Sequence, residues 1–115
     1  MSANTKKSIK GFALLLSDDS ELDPSQRINL VEKTLPALKP GQVLVKMLAA
    51  PVNPSDLVFL LGKYGLESSE GAFVGFEGCG IVVDANAGIY GKWLKGKRVA
   101  LSAEPGIDGV WAEYA

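Results

Sequence analysis

Apolar positions along the chain come in short runs cut by glycine, proline and small polar clusters, the punctuation of a β-rich fold. The first run, IKGFALLLS at residues 9–17, predicts a buried or half-buried strand, and the small polar residues 1–8 before it are expected to be flexible. DDSELDPSQ then breaks the strand with turn-forming residues. In QRINLVEKTL, residues 26–35, the alternation around Ile28 and Leu30 is imperfect, yet the bracketing Pro24 and Pro36 favour a strand over a helix. After the turn LKPGQ, the apolar, β-branched run VLVKMLAAPV from Val43 predicts a central strand.

VNPSDLVFLLGKYG, residues 52–65, departs from the β pattern. Asn53 suits a helix cap, Pro54 the first helical position, Asp56 the third position from which a carboxylate can bond back, and Gly62 the exit. A short helix is therefore predicted from Pro54 to about Leu61, followed by a surface loop, KYGLESSEGA. FVGFEGCGIVVDAN reads as a strand interrupted by Gly75, Gly78 and Gly80, which points to a bend, a bulge, or backbone pressed against another segment or a ligand. KGKRVALSA predicts a turn and a further strand, and GVWAEYA a last extended segment. The sum is a mainly β chain of five or six strands with no internal repeat and no low-complexity tract.

Composition narrows the functional classes. At 115 residues, 47% hydrophobic and 22% charged, the chain suits one soluble domain and leaves no room for a second. Its 12 basic and 13 acidic residues give no positive surplus, so no nucleic-acid partner is expected. Lys6, Lys7 and Lys10 are not followed by an apolar run of signal-peptide type, and no segment approaches membrane-spanning length; no membrane partner and a cytoplasmic location are expected. Cys79 is the single cysteine and histidine is absent. An intramolecular disulfide, a His/Cys zinc site and a histidine-activated serine or cysteine nucleophile are thereby excluded for this chain. Carboxylates, lysines and tyrosines remain as acid or base candidates.

GFEGCG superficially suggests a dinucleotide fingerprint, but its glycines run G-x-x-G-x-G and lead into IVVD, a strand, where the fingerprint needs a helix N-terminus. Glycines demanded by strand geometry are the expected explanation. Glu77, among apolar neighbours, is read as half of a structural ion pair, and Cys79 as an inert buried thiol. Asn53 and Asp56 have full explanations as caps, but Asn53, Ser55 and Tyr64 also suit the lining of a cleft, with the Tyr64 phenol, in a glycine-flanked loop, able to donate a proton.

MLAAPVNPSDL, GKYG, GFEGCGIV, GKRVA and GVWAEY, in this order and spacing from about Ile9 to the end, resemble the N-terminal part of medium-chain dehydrogenase/reductases. The resemblance implies a GroES-like, partly open β-barrel with one or two short helices, forming most of a catalytic domain that precedes a Rossmann domain. Zinc-dependent alcohol dehydrogenases of this superfamily carry a cysteine ligand where this sequence has Asn53 and a histidine ligand where it has Phe76; only Glu77 of that G-H-E motif is kept. The lobe that holds their structural zinc would fall in ALSAEPGIDG, which has no cysteine. The resemblance thus implies the zinc-independent branch of quinone oxidoreductases and 2-enoyl thioester reductases, with NADPH as cofactor and no zinc. MLAAPVNPSDL with GKYG is especially similar to the mitochondrial-type enoyl reductases.

By match, Tyr64 takes the proton donor's place, and Asn53 the asparagine bordering nicotinamide and substrate in the quinone oxidoreductases, with Ser55 beside it. Pro54, Asp56, Glu77, Gly75, Gly78 and Gly80 are expected to be structural. Residues 9–115 are expected to be an incomplete GroES-like catalytic domain, the Rossmann domain lying outside this chain. The chain alone is then inactive, while the full-length parent acts on a small quinone or enone/enoyl substrate, as a homodimer by resemblance. A stand-alone GroES-like binding or assembly module without catalysis is the alternative.

Overall fold

Strands form where the apolar runs lie and pair into two antiparallel sheets. A computed structural model of the chain describes residues 7–15, 21–62, 71–103 and 108–115. Strand β1 (Lys7–Leu14) pairs along its whole length with β2 (Ile28–Leu35), Lys7 opposite Leu35 and Leu14 opposite Ile28. Residues Pro24–Arg27 form a single 3-10 turn before β2, pinned by the Asp23 N–H donating to Gln26 Oε1 at 2.8 Å. Proline favours this first-turn geometry, so β2 begins two residues later than the sequence pattern suggests.

Strand β3 (Gln42–Ala49) pairs with β4 (Glu77–Asn86), which pairs in turn with β5 (Arg98–Ser102). The β3/β4 register shifts between Leu44 and Val45 and again between Met47 and Ala49. β3 stops at Ala49, short of the expected run, because the following prolines at 51 and 54 cannot donate to a ladder. Helix α1 (Pro54–Leu60) follows. The segment 71–76 is not part of a regular strand; it reaches β1 through single bonds such as Val74 N–H to the Phe12 carbonyl at 3.0 Å.

Sequence pattern locates only α1, whereas the structure adds α2 (Gly88–Leu94) between β4 and β5. Its seven residues include two glycines and give too short a periodicity to recognise. Gly91 is its inner face: a Cβ there would meet those of Ala87 and Ala85, so the helix lies on β4 only because residue 91 has no side chain.

The last segment joins the two sheets. Phe12 N–H donates to the Trp111 carbonyl (2.9 Å) and Glu113 N–H to the Lys10 carbonyl (2.9 Å) on one side. Val45 and Ala115 exchange both backbone bonds, at 2.8 and 2.9 Å, on the other. The sheets are joined but not closed, in keeping with the expected mainly β, partly open GroES-like architecture. Two apolar clusters fill the interior. Leu14, Phe59, Leu60 and Val74 make one, and Ile9, Ala13 and Phe73 the other. Lys33 clamps the second from outside, with Nζ 2.8 Å from Asp108 Oδ1 and 4.4 Å from the Phe73 ring centroid.

Candidate functional site

The site is built on the entry into α1. Asp56, Phe59 and Leu60 recur at helical spacing and are buried, while Leu57 and Val58 face outward. Burying a Phe or Leu of this kind is worth about 1.5–3 kcal/mol, which holds α1 against the first cluster without need of high intrinsic helix propensity.

Asn53 stands at the N-cap in extended conformation (φ −93°, ψ 156°) and Pro54 begins the helix. Asp56 reaches back, its Oδ2 accepting the Asn53 N–H at 2.8 Å. The Asn53 side chain faces the Asp56 amide to complete a capping box, but without the alignment of a hydrogen bond; that amide donates to the Asn53 carbonyl at 3.0 Å. The other Asp56 oxygen, Oδ1, accepts the Phe76 N–H at 3.1 Å. One buried carboxylate, 3% exposed, thus clasps residues 53 and 76 together. These are the two positions at which the resemblance puts the cysteine and histidine of a catalytic zinc. The Phe76 ring instead packs against the first cluster, edge-on to Phe59 with centroids 5.3 Å apart.

Replacing Asp56 with alanine strands two backbone donors, and the expected cost is about 2–4 kcal/mol from a charge-assisted pair with partial rehydration. Urea unfolding of Asp56→Ala beside wild type measures it; a loss under about 0.5 kcal/mol would show the clasp to be incidental.

Asn53 and Ser55 are both half-buried at this turn. Tyr64 lies outside the described residues. The glycines of the 75–80 segment are filled around by protein. Gly75 (φ 99°) lies against the Trp111 indole, Gly78 beneath Met47 Cε and the Ala49 carbonyl, and Gly80 against the Lys46 carbonyl of β3. No open cradle for a pyrophosphate remains among them.

Two expectations need correction. Glu77 is exposed at the start of β4 and forms no ion pair among the described residues. Alternation along a strand, not the polarity of sequence neighbours, decides which way a side chain points. Cys79 is half-buried rather than buried, because it borders a groove of about 670 Å³ between the Ala49–Pro51 backbone and β5, shared with Glu77 and Ser102. A second groove of about 410 Å³, lined by Phe12, Met47, Leu48, Val52 and Trp111, runs along the other side of the same connection. Neither groove is legible in the sequence, where their linings look like core; three of them, Phe12, Leu48 and Val52, are 42%, 49% and 65% exposed. Among the described residues no group of three or more carboxylate, cysteine or histidine side chains could hold a metal ion, and no helix is long and apolar enough to cross a membrane.

Known proteins share this arrangement. The chain is 40% identical over 93 residues to the mitochondrial enoyl-(acyl-carrier-protein) reductase of Bos taurus, a match covering 81% of this chain and 24% of the bovine protein. A candidate NADPH:quinone reductase from Mesorhizobium loti superposes with a TM-score of 0.77 at 35% identity, over 94% of this chain and 33% of that one. A candidate NADPH:quinone reductase from Bacillus thuringiensis gives 0.77 at 30% identity, over 94% of this chain and 30% of that one. The chain spans about a quarter of the length of the curated relatives it matches. The alcohol dehydrogenase GroES-like domain family matches residues 39–115, which takes in β3, the Asp56 clasp, the glycine segment and the closing segment, and the chain belongs to that family, within the medium-chain dehydrogenase/reductase superfamily.

Proposed function

We propose that this chain is the substrate-side part of a longer zinc-independent, NADPH-dependent reductase that acts on an activated carbon–carbon double bond, an enone or enoyl thioester. The Asp56 clasp carries the reading. It holds together the two positions of the family's metal ligands, and here they offer an asparagine and a phenylalanine in place of the thiolate and imidazole that zinc prefers. The identity with enoyl reductases supports the same substrate class.

Adding hydride to the β-carbon of such a substrate develops negative charge on a carbonyl oxygen, which hydrogen-bond donors and one proton donor can stabilise without a Lewis acid. In this reading Tyr64 donates the proton, while Asn53 and Ser55 form one wall of the cleft. The nicotinamide cofactor supplies the hydride, and its phosphates have no seat on the filled glycine segment, so they belong to a cofactor domain elsewhere in the longer protein. Residues 9–115 are then an incomplete GroES-like catalytic domain, consistent with coverage of about a quarter to a third of the matched proteins.

Reduction of a quinone is the second reading, favoured by the candidate quinone reductases at 35% and 30% identity. NADPH oxidation by the longer protein, with a short 2-enoyl thioester and a small quinone in parallel, separates the two. Enoyl turnover is the expected result; turnover of the quinone alone would transfer the assignment. The 115-residue chain by itself is expected to consume no NADPH with either acceptor, and measurable consumption would overturn the division of labour between the two domains.

A further inference from the structure

Helix α2 carries side chains that neither the fold nor the proposed reaction uses. With Gly91 turned to the sheet, Ile89, Tyr90 and Trp93 point outward and are 88%, 67% and 59% exposed. The Tyr90 and Trp93 rings stack, centroids 5.8 Å apart and planes 20° from parallel, and Lys97 Nζ sits 4.5 Å from the Trp93 centroid. Three large apolar side chains are thereby gathered on one convex tip instead of being scattered singly.

Charge is segregated to the same place. Lys92, Lys95, Lys97 and Arg98 are all exposed, and none is in an ion pair with a described residue. No acidic residue occurs between Asp84, which is buried, and Glu104. A chain of net charge −1 therefore presents four uncompensated cations within positions 92–98, around an aromatic tip.

We propose that α2 and the turn into β5 dock peripherally on an anionic phospholipid surface, the aromatic rings entering the headgroup layer and the four cations meeting lipid phosphates and carboxylates. Tyrosine and tryptophan suit that layer because each has an apolar body and a polar edge. Basic residues beside it add attraction to anionic lipid. A convex seven-residue element offers no pocket for a partner's side chain, whereas a lipid surface demands no matching shape. The absence of a spanning segment among the described residues is no obstacle, since lying on a membrane and crossing it are different requirements.

Co-sedimentation of the full chain with phosphatidylcholine vesicles, with and without about 30% phosphatidylserine, tests the proposal. Binding to the anionic vesicles is expected, falling steeply as salt is raised, with at least about tenfold weaker binding to the neutral ones. Lys95→Glu/Lys97→Glu and, separately, Trp93→Ser should each weaken anionic binding about tenfold or more with unchanged circular dichroism. Equal binding to both vesicle types, no binding at all, or anionic binding indifferent to these substitutions would overturn it. Capture by an acidic protein without vesicle binding would overturn it too, reassigning the tip to a protein partner. None of these results depends on turnover.

Discussion

Tyr64→Phe in the longer reductase should lower turnover of a short 2-enoyl thioester by about a hundred- to ten-thousand-fold, the usual contribution of a positioned general acid. The substitution removes a single hydroxyl, so an effect confined to kcat would place the loss at the protonation step, whereas a rise in KM alone would mean that the phenol merely helps to hold substrate. Quinone turnover is expected to stay near wild type, because a reduced quinone can take its protons from water. The pair of substrates therefore acts as an internal control for folding. Equal losses on both would point to a disturbed loop, and no loss on the enoyl thioester would remove Tyr64 from the mechanism.

The largest stability effect is expected at Gly75. Its φ of 99° lies where a side chain is disfavoured by about 1–2 kcal/mol, and an added Cβ would also overlap the Trp111 indole. Overpacking of that kind costs about 1–3 kcal/mol, so Gly75→Ala should lose about 2–5 kcal/mol in all. Gly41→Ala makes the comparison sharp: its φ is 88°, but nothing lies within 4 Å of the Cβ position, so only the backbone share is expected. Urea unfolding of both variants measures the difference. If they lose the same amount, the indole has room to move, and the contact between residues 75 and 111 does not fix the segment.

The consequence for the site is direct. Trp111 N–H donates to the Val74 carbonyl at 2.9 Å and Val110 N–H to the Gly75 carbonyl at 3.2 Å, so the indole is anchored on the strip of backbone it covers. Phe76 is next along that strip and is held by Asp56. Displacing Trp111 would thus be felt at Asn53 through two short links.

Much of the fold is legible in the chain, and what was misread has identifiable causes. The five strands follow apolar runs bounded by Pro, Gly and polar clusters, and α1 follows from Asn53, Pro54 and Asp56, each of which acts within a few residues of its own position. Helix α2 escaped because its periodic signal is one face of seven residues and its exposed aromatics mimic a strand. Glu77 was misread because apolar neighbours in sequence do not bury a side chain that alternation sends outward. The family resemblance was carried by short motifs in order, which tolerate such errors of detail.

Sequence alone determined the chemical inventory and the local geometry. Without histidine and with one cysteine, no arrangement of this chain can supply a His/Cys zinc site, and Asn-Pro-Ser-Asp starts a helix wherever it lies. Only the tertiary structure decided which groups meet. Asp56 joins amides at positions 53 and 76, the latter 20 residues away, and Lys10 N–H donates to the Glu113 carboxylate across 103 positions, at 2.7 Å. Contacts of that span depend on strand register and on burying the two clusters together, and neither is set by any residue's own neighbours.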